Sequence, residues 1–333
     1  MVTKERRTLK PATDEQAEWF SHWFNALLDN VGLVIKGKRD QIALALTCVF
    51  SEGHLLLDDV PGTGKTSLAK AIAHSVKGTW SRIQFTPDLL PSDVTGGLVY
   101  NQAQASFDFR RGAVFSNVVL ADEINRASPK TQAALLEVME ERHVTVDGTG
   151  YDVPRPFVVI ATQNPVEQEG TYRLPEAQLD RFLMKTSLGY PDHDHEVDVL
   201  RMLAAGLRPE GLSPIMSTAD VRTMIQVAEA VHVEDSIRSY VVRLCAATRA
   251  MPQLRLGVST RGAIALVRTA RALAAAQSRP FVTPDDVRVV APAVMGHRML
   301  LTPEAELGKV STTTLVDELL DRVELPAAMR QGA

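Results

Sequence analysis

The alternation of apolar and polar positions divides the chain into two parts of different character. Before residue 190, short apolar runs that are typical of buried strands alternate with segments whose apolar residues recur at helical spacing. The runs lie at residues 55–57, 83–85, 118–121, 157–162 and 182–188. Strands that alternate with helices predict a parallel sheet that is covered by helices on both faces.

Helical periodicity dominates the rest of the chain. Residues 14–30 and 42–50 keep their apolar side chains on one helical face. After residue 190 we predict no further strand, and the pattern indicates helices at about 193–205, 218–231, 234–250, 259–277 and 284–296. The chain is therefore predicted to consist of a loose basic tail at 1–13, an α/β core at 14–190 and a helical domain at 191–333.

Two segments of the core alternate strictly and are predicted as inserted β-hairpins. In the first, within residues 86–117, two alternating stretches around Tyr100 and Asp108 flank a polar turn. The second, within residues 143–153, alternates around Asp147-Gly148. A surface loop with incidental alternation is the alternative for the first segment.

The first predicted strand runs directly into a glycine-rich loop and a helix. Such loops bind phosphate, because Gly62 and Gly64 let backbone N–H groups curve around an anion at the helix N-terminus. Lys65 is expected to reach the β- and γ-phosphates of a nucleoside triphosphate, and the Thr66 hydroxyl to ligate Mg²⁺. Asp59 departs from the general pattern G-x-x-x-x-G-K-[ST], which has glycine at this position. The predicted ATP-binding residues are Asp59, Val60, Pro61, Gly62, Thr63, Gly64, Lys65, Thr66 and Ser67.

Two later strands end in polar side chains that suit the hydrolysis of a nucleoside triphosphate. The carboxyl ends of parallel strands meet at one edge of a sheet, so we expect Asp122 and Glu123 beside the phosphate loop. Asp122 suits Mg²⁺, directly or through water, and Glu123 suits a general base that activates the attacking water. Asn164 follows the next strand and could hold that water or sense the γ-phosphate. A turn residue before Pro165 is the alternative for Asn164.

Two arginines complete the predicted catalytic set. Arg181 stands just before the fifth predicted strand, and Arg261 opens a helix of the second domain. A lone arginine is usually a solvated surface charge. Read in order after the phosphate loop and the carboxylates, these two favour a role in the same reaction.

Composition and charge exclude several functions. The chain has 333 residues, a net charge of −4 and a sequence pI of about 6.1, which argues against a general nucleic-acid binder. Cys48 and Cys245 are predicted to be buried thiols, not a disulfide or a metal pair. The acidic and histidine-rich run at 192–196 suits a helix N-terminus better than a metal site. Because no apolar run could span a membrane and no signal region begins the chain, we expect a cytoplasmic protein.

Several long motifs resemble those of the MoxR family of AAA+ ATPases. They are F-T-P-D-L-L-P-S-D at 85–93, D-E-I-N-R-A at 122–127, S-P-K-T-Q at 128–132, A-T-Q-N-P at 161–165, E-Q-E-G-T-Y at 167–172 and L-P-E-A-Q-L-D-R-F at 174–182. The resemblance extends from about Gly37 to Arg298. It implies a AAA+ phosphate-loop core with a five-stranded parallel sheet, then an α-helical lid domain, and assembly into a ring with a hexamer as the expected form.

The resemblance also implies a role for each candidate residue. Lys65 and Thr66 correspond to the Walker A motif of this family, and Asp122 and Glu123 to its Walker B motif. Asn164 corresponds to sensor 1. The cofactors implied are ATP and Mg²⁺, with Mg²⁺ held by Thr66 and Asp122.

The two arginines and the two hairpins have implied roles as well. On the resemblance, Arg181 is an arginine finger that acts on the ATP of the neighbouring subunit, and Arg261 is sensor 2, which reports the nucleotide state to the lid. The hairpin within 86–117 is the helix-2 insert, and the one within 143–153 is the pre-sensor hairpin. A trans-acting arginine makes hydrolysis depend on assembly.

The function implied is a chaperone-like ATPase that remodels or activates a protein partner. The family suggests a von Willebrand A-domain protein as the client, or an enzyme that receives a metal or cofactor. One alternative is a ring motor on nucleic acid, with Arg82, Arg110 and Arg111 as basic contacts near the insert; the net acidity makes a nucleic-acid partner the less favoured hypothesis. A subunit of the magnesium-chelatase type is the other alternative.

Overall fold

The computed structural model describes residues 10–165 and 171–326. Residues 1–9 of the predicted tail and residues 167–170 of the E-Q-E-G-T-Y motif lie outside the described residues. The described strands, in chain order, are β1 Leu55–Asp58, β2 Val76–Lys77, β3 Trp80–Gln84, β4 Gly96–Asn101, β5 Ser106–Arg111, β6 Val118–Asp122, β7 His143–Val146, β8 Thr149–Asp152, β9 Val158–Gln163, β10 Met184–Thr186, β11 Met216–Ser217, β12 Leu254–Leu256 and β13 Leu300–Leu301.

The helices lie close to the predicted positions, and most begin at residues that cap helices well. At α5, the Ser128 hydroxyl accepts a hydrogen bond from the Thr131 N–H, and Pro129 occupies the first helical position. The helices are α1 Asp14–Gly32, α2 Arg39–Phe50, α3 Lys65–Ser75, α4 Pro91–Thr95, α5 Pro129–Glu141, α6 Glu176–Leu179, α7 His193–Ala204, α8 Thr218–Ala230, α9 Asp235–Arg249, α10 Thr260–Ala276, α11 Pro284–Met295, α12 Pro303–Leu307 and α13 Thr312–Arg322.

The predicted five-stranded parallel sheet is confirmed. Its strands lie in the order β10-β1-β9-β6-β3, and each neighbouring pair is parallel. Successive side chains point to opposite faces: Leu55 and Leu57 pack into one hydrophobic cluster, and Leu56 packs into another. Both faces are covered at β1, β6 and β9, which explains why these strands read as continuous apolar runs, whereas the edge strand β3 is mostly exposed and carries polar side chains.

One hydrophobic cluster joins the first helices of the chain to the helical domain. Phe20 and Phe24 of α1 and Phe50 of α2 belong to the same cluster as the buried face of α10. Ala12 is buried, its N–H donates to the Ala230 carbonyl of α8, and Thr13 caps α1. The prediction of a loose tail is therefore wrong for Ala12, which is buried in this cluster, and for Thr13, which is held by the cap of α1.

Both predicted hairpins are present. β4 pairs with β5 and β7 with β8, each antiparallel, and the second turn contains Asp147 and Gly148 with positive φ angles. The hairpins touch each other, because the Phe109 and Tyr151 rings stack with their centroids 4.3 Å apart. One side chain of β5 therefore packs on one side chain of β8.

The prediction that no strand follows residue 190 is wrong. β11 pairs in parallel with β2, and β12 pairs with β13 in an antiparallel arrangement. Each of these strands has two or three residues, which is too short for an alternating pattern to be recognised in the sequence. The helices predicted between 193 and 296 are confirmed, and α12 and α13 follow them.

Candidate active site

The phosphate loop connects β1 to the N-terminus of α3. Gly62 and Gly64 have φ angles of 85° and 91°, in the left-handed region that favours glycine. A Cβ atom at either position would meet nothing within 4 Å. These two glycines are therefore required by the backbone conformation, which curves the loop, and not by a lack of space.

Asp59 fixes the loop to the segment that follows β10. One carboxylate oxygen accepts from the Val60 N–H at 2.8 Å, and the other accepts from the N–H groups of Leu188 and Gly189 at 2.9 and 2.6 Å. Burial alone would raise the pKa of Asp59, but these hydrogen bonds outweigh burial and hold the pKa below its ordinary value. Asp59 is an anchor in the place where the general pattern has glycine.

Lys65 lies against the loop that precedes it. Its ammonium group donates to the carbonyl oxygens of Asp59 and Val60, the latter at 2.8 Å. Burial, which disfavours the charged form, lowers the pKa of Lys65, and nearby carboxylates oppose the shift. A phosphate at this loop would offer the ammonium group a fully charged partner in exchange for two carbonyl groups.

Asp122, at the end of β6, is the centre of the polar network. The Thr66 hydroxyl lies 3.2 and 3.3 Å from its two carboxylate oxygens, and the Thr162 hydroxyl donates to Oδ1 at 2.6 Å. The Arg82 guanidinium donates to Oδ2 from Nη2 at 2.7 Å and from Nε at 3.2 Å. The structure thus brings together the two residues that were predicted to hold Mg²⁺, and adds an arginine to them.

Glu123 has an unusual backbone conformation. Its φ and ψ angles are 56° and 51°, in the left-handed region, and its N–H donates to the Thr162 hydroxyl at 2.9 Å. Its carboxylate accepts from the Gln84 side-chain amide at 2.8 Å and pairs with Arg126 at 3.2 Å. Glu123 is therefore held both at its backbone N–H and at its carboxylate, and it lines the same cavity as the phosphate loop.

The phosphate loop and these carboxylates line one cavity of about 440 Å³. Asn164 also lines it, is buried, and accepts through its backbone carbonyl from the Asn125 side chain at 3.2 Å. Of the predicted ATP-binding residues, Pro61, Gly62, Thr63, Gly64, Lys65, Thr66 and Ser67 line the cavity, and Asp59 and Val60 support it from behind.

The sequence analysis missed Gln84 and Thr162 as parts of this site and gave Arg82 a different role. The nucleic-acid alternative assigned Arg82 to a contact near the insert, but its guanidinium lies on Asp122, so that assignment is wrong. Gln84 pairs in register with Asp122 across β3 and β6. The available signal was the alternation of Arg82 and Gln84, which places both on one face of β3.

Arg181 and Arg261 meet at a second cavity, of about 210 Å³, between α5 and α10. Arg181 Nε lies 2.8 Å from Glu140 Oε2, and Arg261 Nη2 lies 2.6 Å from Glu140 Oε1. Arg261 also approaches Asp180 at 3.5 Å, and the buried Arg298 binds Asp180 at 2.7 Å. The structure therefore unites the two predicted arginines, and places them in a cavity distinct from the one that contains the phosphate loop.

The remaining candidates have structural roles. The Asp192 side chain caps α7 and contacts His195 at 2.7 Å, as expected for a helix N-terminus. Cys48 and Cys245 are buried free thiols, and burial raises their pKa to about 12 and about 11. Within the part of the chain that the structure describes, each helix is too short or too polar to cross a membrane.

The comparisons with known proteins agree with this geometry. Residues 54–184 match the AAA ATPase family, described as associated with various cellular activities, and residues 246–319 match the AAA lid domain. The chaperone MoxR1 of Mycobacterium tuberculosis is 41% identical over 93% of this chain and 85% of its own. The chain belongs to the MoxR family of AAA+ ATPases.

Two further relatives cover almost the whole chain. The uncharacterized protein YeaC of Bacillus subtilis is 48% identical over 90% of this chain and 93% of its own. A crystal structure of a candidate ATPase from Cytophaga hutchinsonii superposes with a TM-score of 0.86, at 39% identity, over 93% of this chain and 97% of that one. This MoxR-family chain is an ATPase with a AAA+ core and a lid domain.

Proposed function

We propose that this chain is a Mg²⁺-dependent ATPase that works as a ring and remodels a protein partner. The observation that carries the proposal is the convergence of Lys65, Thr66, Asp122 and Glu123 on one cavity at the strand ends. In this arrangement the phosphate loop binds the triphosphate, and Glu123 takes a proton from the attacking water. Asn164 lies at the same cavity and orients that water.

The donor atoms at Asp122 fit a magnesium ion. The Asp122 carboxylate and the Thr66 hydroxyl, 3.2 Å apart, are the hard oxygen ligands that Mg²⁺ prefers, and the phosphates of ATP would add further oxygens. Bound there, Mg²⁺ supplies positive charge that stabilises the transferring phosphoryl group. Arg82 must then share or release Asp122, because its guanidinium occupies Oδ2.

A ring explains why the two arginines lie apart from the phosphate loop. Arg181 and Arg261 line the second cavity, where each is partly exposed and available to a neighbouring molecule. An arginine supplied by a neighbour raises the rate of phosphoryl transfer by about 10³–10⁵. We propose that both arginines act on the neighbouring subunit's ATP, and that the ring is a hexamer in the cytoplasm.

The inserted hairpin is the proposed contact with the client. Leu98, Val99, Tyr100 and Phe107 are exposed on β4 and β5, an unusual concentration of apolar side chains on a two-stranded hairpin. The relative MoxR1 is named a chaperone. We propose a protein client, with a von Willebrand A-domain protein or a metal- or cofactor-dependent enzyme as the expected class.

The test is the ATPase rate as a function of protein concentration. We expect the rate per subunit of the wild type to rise cooperatively, and Glu123→Gln and Arg181→Ala each to lack activity. A mixture of the two variants should recover part of the activity, because mixed rings contain interfaces with an intact base and an intact arginine. Arg39→Ala, whose guanidinium pairs with the exposed Asp29, is the control. A rate that is independent of concentration and unaffected by Arg181→Ala would refute the ring mechanism.

A further inference from the structure

Glu140, at the C-terminal end of α5, binds both arginines of the second cavity. Its Oε2 accepts from Arg181 at 2.8 Å, and its Oε1 accepts from Arg261 at 2.6 Å. Arg181 follows α6 in the core, whereas Arg261 stands on α10 in the lid domain. A single carboxylate therefore connects the two domains through the two residues that are proposed to reach a neighbouring subunit.

The electrostatics of the cavity require this carboxylate. Two guanidinium groups repel each other when they converge, and Arg261 is the second residue of α10, where the helix dipole disfavours a positive charge. Burial alone would raise the pKa of Glu140, but the charges of Arg261 and Arg181 outweigh burial and lower it. The carboxylate is therefore ionised and offsets the repulsion.

The contacts leave each arginine able to bind a further anion. A guanidinium has five N–H donors. Arg181 reaches Glu140 through Nε, the donor nearest its own side-chain stem, so its terminal nitrogens extend beyond the contact. Arg261 uses Nη2 for Glu140 and approaches Asp180 with Nη1. Glu140 therefore orients Arg181 without saturating its guanidinium, whereas Arg261 would bind a further anion by giving up its longer contact, with Asp180 at 3.5 Å.

We propose that Glu140 is a positioning residue that holds Arg181 and Arg261 together as one cationic pair for the triphosphate of the neighbouring subunit. The inference rests on the proposed ring mechanism. Because Glu140 spans core and lid, it also keeps the two arginines in register when the lid moves. An arginine pair that is oriented before it meets the phosphate lowers the cost of reaching the transition state.

The first test is the kinetics of Glu140→Gln, which removes the charge and keeps the size. We expect kcat to fall by about 10- to 100-fold, while the affinity for a fluorescent ATP analogue stays unchanged, because the phosphate loop is intact. Glu141→Gln is the matched control: it removes the same charge from the next, exposed residue of α5 and should keep the wild-type kcat. An unchanged kcat in Glu140→Gln would overturn the proposal, and so would an increased one, which would make Glu140 an inhibitor of the arginines.

The second test asks on which side of the interface Glu140 acts. Mixed with Glu123→Gln, the Glu140→Gln variant should recover activity, since the former supplies intact arginines and the latter an intact base. Mixed with Arg181→Ala it should recover none, because both variants are defective on the same face. The opposite pattern would overturn the proposal. Should Glu140→Gln fail to fold, Glu140→Asp takes its place: it keeps the charge but shortens the reach, and should show a smaller loss of kcat with the same mixing pattern.

The two hypotheses fail in different ways. A wild-type ATPase rate per subunit that does not depend on protein concentration, or full activity of Arg181→Ala, would reject the ring mechanism itself. A concentration-dependent wild type with inactive Arg181→Ala and fully active Glu140→Gln would reject only the role of Glu140. A melting temperature for Glu140→Gln within a few degrees of the wild type separates positioning from a general loss of stability.

Discussion

The phosphate-loop cavity and the arginine cavity are built by different means. In the first, functional residues are neighbours in sequence or stand at the ends of adjacent strands, and backbone conformation fixes them. In the second, Glu140, Arg181 and Arg261 come from three distant segments and are held by partly exposed ion pairs. We therefore expect the backbone of the first site to be set within a single subunit, and the ion pairs of the second site to exchange partners when another anion arrives.

Arg181→Ala has the largest expected effect, and it tests whether the two cavities have separate functions. Arg181→Ala should lower kcat by about 10³-fold or more, while ATP still binds, because the phosphate loop does not include this arginine. Single-turnover hydrolysis and the binding of a fluorescent ATP analogue would measure the two properties separately. A comparable loss of ATP affinity would show that Arg181 contacts the nucleotide of its own subunit, and the comparison between the cavities would no longer hold.

Asp59→Asn tests the carboxylate that ties the phosphate loop to Leu188 and Gly189. An amide in place of the carboxylate keeps one acceptor oxygen and turns an N–H group toward other N–H donors, so we expect a loss of about 1–3 kcal/mol in the free energy of unfolding. Chemical denaturation would measure it. Asp29→Asn, at an exposed carboxylate whose partner is Arg39, should cost far less.

The Asp59 carboxylate also makes the stability of the protein depend on pH. Since hydrogen bonds lower the pKa of Asp59 in the folded protein, its contribution is fully present above the unfolded pKa of about 3.9 and is lost as the pH falls through the lower folded value. As the pH falls below about 5, the free energy of unfolding should therefore decrease more in the wild type than in Asp59→Asn. Parallel pH profiles of the two proteins would contradict the role of the carboxylate charge.

Gly64→Ala tests whether backbone conformation builds the phosphate site. Alanine in the left-handed region costs about 1–2 kcal/mol of stability and shifts the N–H groups of the loop. Gly148→Ala is a matched control, because Gly148 also has a positive φ angle and open space for a Cβ, but lies at the hairpin turn. Both variants should lose similar stability by thermal unfolding, and Gly64→Ala alone should weaken ATP binding, by about tenfold. Equal ATP affinities in the two variants would contradict this account.

The contrast between the cavities also decides how much the sequence could predict. Lys65 and Thr66 were predictable from the phosphate-loop motif between β1 and α3, and Asp122 and Glu123 from the end of β6, because parallel strands end at one edge of the sheet. The ion pairs of Glu140 were not, because they depend on where Arg181 and the first turn of α10 lie relative to α5, and no local pattern encodes that placement. For the same reason the pairing of β2 with β11, over two residues each, could not be anticipated.

Arg82→Ala has the smallest expected effect, and it tests the phosphate-loop site. The Arg82 guanidinium and the proposed Mg²⁺ share the Asp122 carboxylate. A partly exposed ion pair of this kind contributes about 0.2–1 kcal/mol. Removing it should therefore let Arg82→Ala reach half-maximal ATPase activity at a Mg²⁺ concentration about 1.4- to 5-fold lower than the wild type. Arg126→Ala removes an equally exposed guanidinium from Glu123, next to Asp122, and should leave the Mg²⁺ requirement unchanged. A higher Mg²⁺ requirement in Arg82→Ala would instead mean that Arg82 orients Asp122 for the metal, and the site would resemble the arginine cavity in relying on an ion pair for its geometry.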